Sequence, residues 1–156
     1  VNTIISPDRL AELAMKALER TAFMMADPAE VSSASVAKAT RRATIRYAGP
    51  ASGLVTIRTT DDFLRSLASN LLGEEPDDID LSTCGDDAIK ELTNILGGSV
   101  IHELGGADNT FSLGLPQVVN ASNAQVAIDR TCALDCEGHP LFITWDPDAV
   151  ATKKVA

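Results

Sequence analysis

Two segments that alternate apolar with polar residues, joined by a glycine–proline turn, commit this chain to an antiparallel sheet. Ala43, Ile45 and Tyr47 alternate with Arg42, Thr44 and Arg46, and Val55 and Ile57 alternate with Leu54, Thr56 and Arg58. A period of two places each set on one side of a strand. Gly49-Pro50-Ala51-Ser52-Gly53 between them is turn chemistry, so the pair is a hairpin. Further strands are expected downstream. Phe111 to Leu115 is one, broken by Pro116. Val126, Ile128, Arg130 and Cys132 alternate with Ala127, Asp129 and Thr131 in another. Leu141 to Trp145 follows the turn Glu137-Gly138-His139-Pro140. Short links between neighbours favour antiparallel pairing.

Helices precede these blocks of strands. Leu10, Leu13, Ala14, Ala17, Leu18, Met24 and Met25 make the stripe of an amphipathic helix, with Ser6 as N-cap, Pro7 at the first helical position and Asp27-Pro28 as the stop. Thr60 caps a second helix through Phe63, Leu64, Leu67, Leu71 and Leu72, and Gly73 ends it. An acidic loop, Glu74 to Asp80, leads to a third helix from about Asp86 to Leu104, closed by Gly105-Gly106. Residues 31–39 are a small-residue connector with no assigned structure. The order predicts an α+β fold with an antiparallel sheet covered by helices. A faint repeat supports duplicated helix-plus-strands units: Asp8-x-x-x-Glu12-x-x-Met15 in the first helix, Asp87-x-x-x-Glu91-x-x-Asn94 in the third.

The 156 residues suit a single domain spanning 1–156. Aromatics are only 4%, so aliphatic side chains and alanine must build the core. A net charge of -9 argues against nucleic acid and anionic membranes, which need clustered Lys and Arg. No apolar run reaches the ~20 residues of a membrane span, and Val1 to Ser6 has no signal-peptide character. The three cysteines, Cys84, Cys132 and Cys136, form no paired framework and fit a reducing, cytoplasmic compartment.

On the third helix, Ile89, Leu92, Leu96 and Val100 share one side, while Asp87, Glu91, Asn94, Gly98 and His102 share the other. Glu91 and Asn94 are neighbours on one ridge. Gly97-Gly98 in mid-helix costs ~1 kcal/mol per glycine relative to alanine; such a pair makes sense where another backbone comes close. The spacing alone also describes a solvated face with glycines that serve internal packing.

Asp87-x-x-x-Glu91-x-x-Asn94-x-x-x-Gly98 resembles the motif of the CheC/CheX/FliY group of chemotaxis phosphatases. Phe111-Ser112-Leu113-Gly114-Leu115-Pro116-Gln117-Val118-Val119 is similar to that group's strand ending in proline and aliphatics, and Leu71-Leu72-Gly73-Glu74-Glu75 to its helix end. The resemblance spans about residues 40–120. With one intact motif, and Met15 where the other copy has Asn94, the chain looks most like CheX. The resemblance implies a duplicated α+β fold, a homodimer, and hydrolysis of the aspartyl phosphate on a phosphorylated CheY-like response regulator. It implies that Asn94 aims the water, that Glu91 pairs with a lysine of the partner, and that Asp87 and Gly98 contact the partner. It implies no cofactor of the chain's own, with Mg²⁺ held by the regulator. The alternative is a non-catalytic dimeric adaptor of the same fold, docking a regulator or the flagellar switch.

Other residues carry weaker signals. Asp78-x-Asp80-x-Ser82 lacks the glycine and glutamate of a Ca²⁺ loop and is expected to cap the third helix. Cys132-x-x-x-Cys136 has neither zinc nor redox spacing. His102 and His139 are expected to be bystanders. Arg41, Arg42 and Arg46 are expected to be a solvated strand face.

Overall fold

The computed structural model describes residues 4–105, 110–120 and 126–149. Four helices are described: α1 (Pro7–Ala22), α2 (Ser33–Val36), α3 (Asp61–Leu72) and α4 (Asp86–Gly105). The strands are β1 (Ala26–Ala29), β2 (Arg41–Ala48), β3 (Gly53–Thr59), β4 (Ser112–Leu113), β5 (Gln117–Asn120), β6 (Thr131–Cys136) and β7 (His139–Pro147). Among the described residues they form one antiparallel sheet, ordered β1-β6-β7-β3-β2, with β4 and β5 sharing the outer edge of β2.

This order makes the duplication visible. One unit runs α1-β1-β2-β3 and the other α4-β4/β5-β6-β7. Their last strands, β3 and β7, pair at the centre through Ile57 and Ile143. The middle strands β2 and β6 flank them. The early strands cross over: β1 pairs with β6 of the other unit, and β5 with β2. The helices follow the same exchange, α1 packing over β6 and α4 over β2. The helix-covered face is the main core, where Ile45, Val55, Ile57, Leu134 and Ile143 meet Leu10, Leu18, Ile89 and Leu96. Trp145 Nε1 donates to the Tyr47 hydroxyl at 2.8 Å, which satisfies both polar tips of this aromatic-poor interior.

Local chemistry sets the element ends where the sequence carries it. Ser6 accepts from the Arg9 amide with Pro7 at the start of α1, and Thr60 accepts from the Phe63 amide at the start of α3. The β2–β3 hairpin pairs Ala43 with Ile57 and Ile45 with Val55, as the alternation requires. α3 stops at Gly73, whose φ of 68° a glycine adopts without the Cβ penalty of other residues.

Several expectations are corrected. Helix α1 ends at Ala22, not at Asp27-Pro28: Phe23 takes a left-handed φ of 54°, and its amide reaches back to the Leu18 carbonyl. The chain turns there, burying Met24 and exposing Met25. Asp27-Pro28 lies in edge strand β1, where a missing N–H is tolerated. Connector 31–39 contains α2, held by a reciprocal capping box between Ser32 and Ser35. The expected strand Phe111 to Leu115 narrows to Ser112–Leu113, and pairing with β2 resumes beyond Pro116. The strand expected from Val126 to Cys132 is displaced. Ile128–Arg130 form a 3₁₀ turn, and β6 begins at Thr131. The Glu137–Pro140 turn shrinks to Glu137-Gly138, both at positive φ, so His139 and Pro140 join β7. Gly106 of the expected helix stop lies outside the described residues.

The other face of the sheet has its own small cluster. Val36 of α2 packs on Ala133 and Phe142, with Val31, Ala39, Val126 and Ile128 around them. This explains the displaced strand: Val126 and Ile128 alternate because they cover that cluster from a turn.

Candidate functional site

Helix α4 is prepared by the segment before it. Asp80 Oδ1 accepts from the Ser82 amide at 3.0 Å and its hydroxyl at 2.6 Å, opening a π-helical turn over Leu81–Gly85 that runs into α4. These bonds hold the Asp80 carboxyl below its ordinary range, the hydroxyl contributing most. Asp80 thus serves as a cap, as expected of the acidic loop. Arg41, at the start of β2, reaches Asp61 of α3 at 2.8 Å and Asp86 of α4 at 3.1 Å. One guanidinium therefore ties two helix N-termini to the sheet. At the far end, Arg9 of α1 forks onto both carboxylate oxygens of Glu103, at 2.8 and 2.9 Å. That bond depresses the Glu103 carboxyl and raises the Arg9 guanidinium.

Between these anchors the helix divides as its periodicity requires. Ala88, Ile89, Leu92, Thr93, Leu96, Gly97 and Val100 are buried. The polar Thr93 is accommodated because its hydroxyl donates to the Ile89 carbonyl at 2.6 Å. Asp87, Glu91, Asn94 and His102 are exposed, and Gly98 is half-exposed. Glu91 and Asn94 rise together from one ridge, with no hydrogen bond or ion pair to either side chain among the described residues. Among the described residues, nothing packs over this ridge in the way that α4 packs over β2.

The two central glycines have separate tasks. A Cβ on Gly97 would lie 3.0 Å from Ile45 Cγ2 and 3.0 Å from Leu113 Cδ2. Side chains of β2 and β4 therefore come close there, rather than another backbone. A Cβ on Gly98 would meet nothing within 4 Å. Its half-exposed surface has no internal packing reason to be glycine.

The equivalent ridge of α1 differs in its partners, although Glu12 is exposed there too. Glu12 is engaged by Arg9 at 2.8 Å, and Met15 lies half-buried against the main core. The remaining signals resolve into structure. Arg46 is ion-paired with Asp148. His139 approaches the Ser66 hydroxyl at 3.4 Å. Cys132 and Cys136 are buried and unpaired, with burial pushing their thiols up to about 12 and about 11. Among the described residues no group of three His, Cys, Asp or Glu side chains is arranged to hold a metal, and no helix is long and apolar enough to cross a membrane. Sequence reasoning missed one feature: Arg58 is buried, although its alternation with Ile57 resembles that of the exposed Arg46.

The model of the chemotaxis phosphatase CheX family matches residues 42–136 of the chain. Solved structures share the fold. CheX from Desulfovibrio desulfuricans superposes with a TM-score of 0.70 at 19% identity, covering 89% of this chain and 96% of that one. CheX from Vibrio vulnificus gives 0.71 at 18%, covering 90% and 95%. The CheX of the CheX–CheY–BeF3–Mg²⁺ complex from Borrelia burgdorferi gives 0.67 at 16%, covering 94% and 99%. No curated protein sequence matches the chain.

Proposed function

The chain belongs to the CheX family of chemotaxis phosphatases, and on that footing we propose that it hydrolyses the aspartyl phosphate of a phosphorylated CheY-like response regulator. The observation that carries this reading is the open ridge of α4, where Glu91 and Asn94 stand exposed side by side. A solved relative from Borrelia burgdorferi is in complex with CheY, which supports a regulator as the partner.

The chemistry follows from the side chains. Hydrolysis of an acyl phosphate needs a water held in line with the bond to phosphorus. A carboxamide both accepts and donates hydrogen bonds, so Asn94 can fix the orientation of such a water without titrating. Glu91, one turn away, supplies a carboxylate for a lysine of the regulator's phosphorylation site, which sets the depth and angle of docking. Asp87 adds a contact at the rim. Gly98 leaves room for the partner's backbone to approach the helix. Mg²⁺ belongs to the regulator, where it neutralises phosphoryl charge. The acidic chain gains no long-range attraction to an acidic phosphorylated partner, so recognition rests on this short-range ridge. The same reading carries a homodimer, which sedimentation at varied concentration checks, and a cytoplasmic location beside the regulator.

The test is loss of phosphate from a phosphorylated regulator with parent protein and with Asn94→Ala. Acceleration by the parent that disappears in Asn94→Ala, with melting and regulator binding kept, supports the enzyme. Binding without acceleration by the parent protein sinks it and leaves the docking adaptor.

A further inference from the structure

We infer that Arg42 and Arg58 form a binding site for a phosphate or phosphomonoester dianion on the face of the sheet turned away from α4. The two residues are direct partners on β2 and β3. Cross-strand partners project on one side with their Cβ atoms about 5 Å apart. Ala43 and Ile57, the next pair, face the helices, so Arg42 and Arg58 face the opposite way. Two like charges set opposite each other repel, and sheets ordinarily avoid this.

Their surroundings compensate only in part, through the charge of Asp146 acting on Arg58. Arg58 is only 8% exposed. Among the described residues its hydrogen bonding is limited to a 3.4 Å contact from Nη1 to Thr144 Oγ1. That hydroxyl is already committed: Thr131 donates to the Ala127 carbonyl at 2.7 Å, so the 2.7 Å Thr131–Thr144 bond leaves Thr144 as donor. Thr144 thus orients the guanidinium but neutralises nothing. Arg42 buries its Nε with no hydrogen-bond partner among the described residues. Burial and then the Arg42 charge pull the Arg58 guanidinium below its ordinary range.

The contrast with the other arginines is chemical. Arg9, Arg41, Arg46 and Arg130 each rest on a carboxylate, Arg65 donates to the Ile79 carbonyl at 3.1 Å, and Arg20 is exposed to water. Asp146, whose charge reaches Arg58, is held by both Nε and Nη2 of Arg130 at 3.2 and 2.8 Å. In a chain with 22 acidic residues, the absence of a carboxylate from this pair points to an anion supplied from outside. Two neighbouring guanidinia with free donors suit a tetrahedral dianion with several acceptor oxygens.

The test is thermal melting of the whole protein in inorganic phosphate, in glycerol 3-phosphate and in chloride at matched ionic strength. A phosphate-specific rise of about 2–4 °C is expected for the parent and for Asn94→Ala, with saturation. Arg42→Gln and Arg58→Gln each remove that rise. A response to inorganic phosphate assigns the free ion, and one confined to glycerol 3-phosphate assigns the monoester; both uphold the site. A rise equal to that in chloride, one that survives Arg42→Gln, or one lost in Asn94→Ala overturns it. Arg42 is half-buried, so its variant keeps the test decisive if Arg58→Gln does not fold.

Discussion

Helices α1 and α4 lie side by side on one face of the sheet, each in the same place within its unit. Each carries an acid near its start, a glutamate four residues on, and a third residue three beyond that. In α1 these are Asp8, Glu12 and Met15; in α4 they are Asp87, Glu91 and Asn94. Their surroundings differ. Arg9 engages Glu12, and Met15 packs partly buried against the core. Glu12 is exposed like Glu91, but Glu91 has no ion pair among the described residues, and Asn94 stays exposed where Met15 packs inward. The difference teaches that spacing alone does not make a site. A cation one turn earlier and a thioether in place of a carboxamide have turned one copy into scaffold.

The sharpest way to break this comparison is Asn94→Ala. Stimulated loss of phosphate from the regulator should fall by about 100-fold or more, the usual scale for removing one group aimed at the reacting centre. Melting should not move, because Asn94 is exposed. Undiminished stimulation would remove the reason for treating the two helices differently.

Gly97→Leu tests the buried side of the same helix. A Cβ there already lies 3.0 Å from Ile45 and Leu113, so a larger side chain must push α4 off the sheet. The expected cost is about 1–3 kcal/mol, read as a lower denaturation midpoint. A neutral result would mean that α4 does not seat as closely on β2 as the geometry states.

How much of this was legible in the sequence depends on the range over which each signal acts. The N-caps Ser6 and Thr60, the stop at Gly73 and the two faces of α4 are set within one or two helical turns, and the residue pattern carries them. So did the β2–β3 hairpin, whose strands share one turn. Strand β1 was not legible, because Ala26-Asp27-Pro28-Ala29 has no strand character and exists by pairing with β6, a hundred residues on. The stretch from Val126 to Arg130 alternated for a reason that only the packed α2 and Phe142 reveal. At the site, Glu91 and Asn94 were legible from periodicity and motif together. The separate tasks of Gly97 and Gly98 were not, since they depend on what lies across from each. Nor was the isolation of Arg42 and Arg58, which depends on carboxylates being elsewhere.

Met15→Ala probes the other copy. Met15 is mostly buried against the core, a burial worth about 1–2 kcal/mol, and that loss should appear in the denaturation midpoint. Phosphatase activity per folded molecule should stay at the parent level. A drop in activity with unchanged melting would show that α1 also touches the regulator, and the division between the helices would fail.

The smallest change gives the finest discrimination. In α4, Gly98→Ala adds one methyl where nothing lies within 4 Å. Helix propensity then predicts a gain of ~0.5–1 kcal/mol in stability. If the open space is kept for the regulator's backbone, the same methyl raises the KM for the phosphorylated regulator several-fold and leaves kcat nearly unchanged, since Asn94 and its water are untouched. Better stability with poorer docking would show that the glycine serves an encounter rather than the fold. Better stability with unchanged KM would return Gly98 to the solvated face and confine recognition to Glu91 and its neighbours. The counterpart in α1 is Glu19, which is exposed and carries a side chain where α4 has none. Glu19→Gly should therefore cost about as much stability as Gly98→Ala gains, with no change in KM, because that ridge meets no partner.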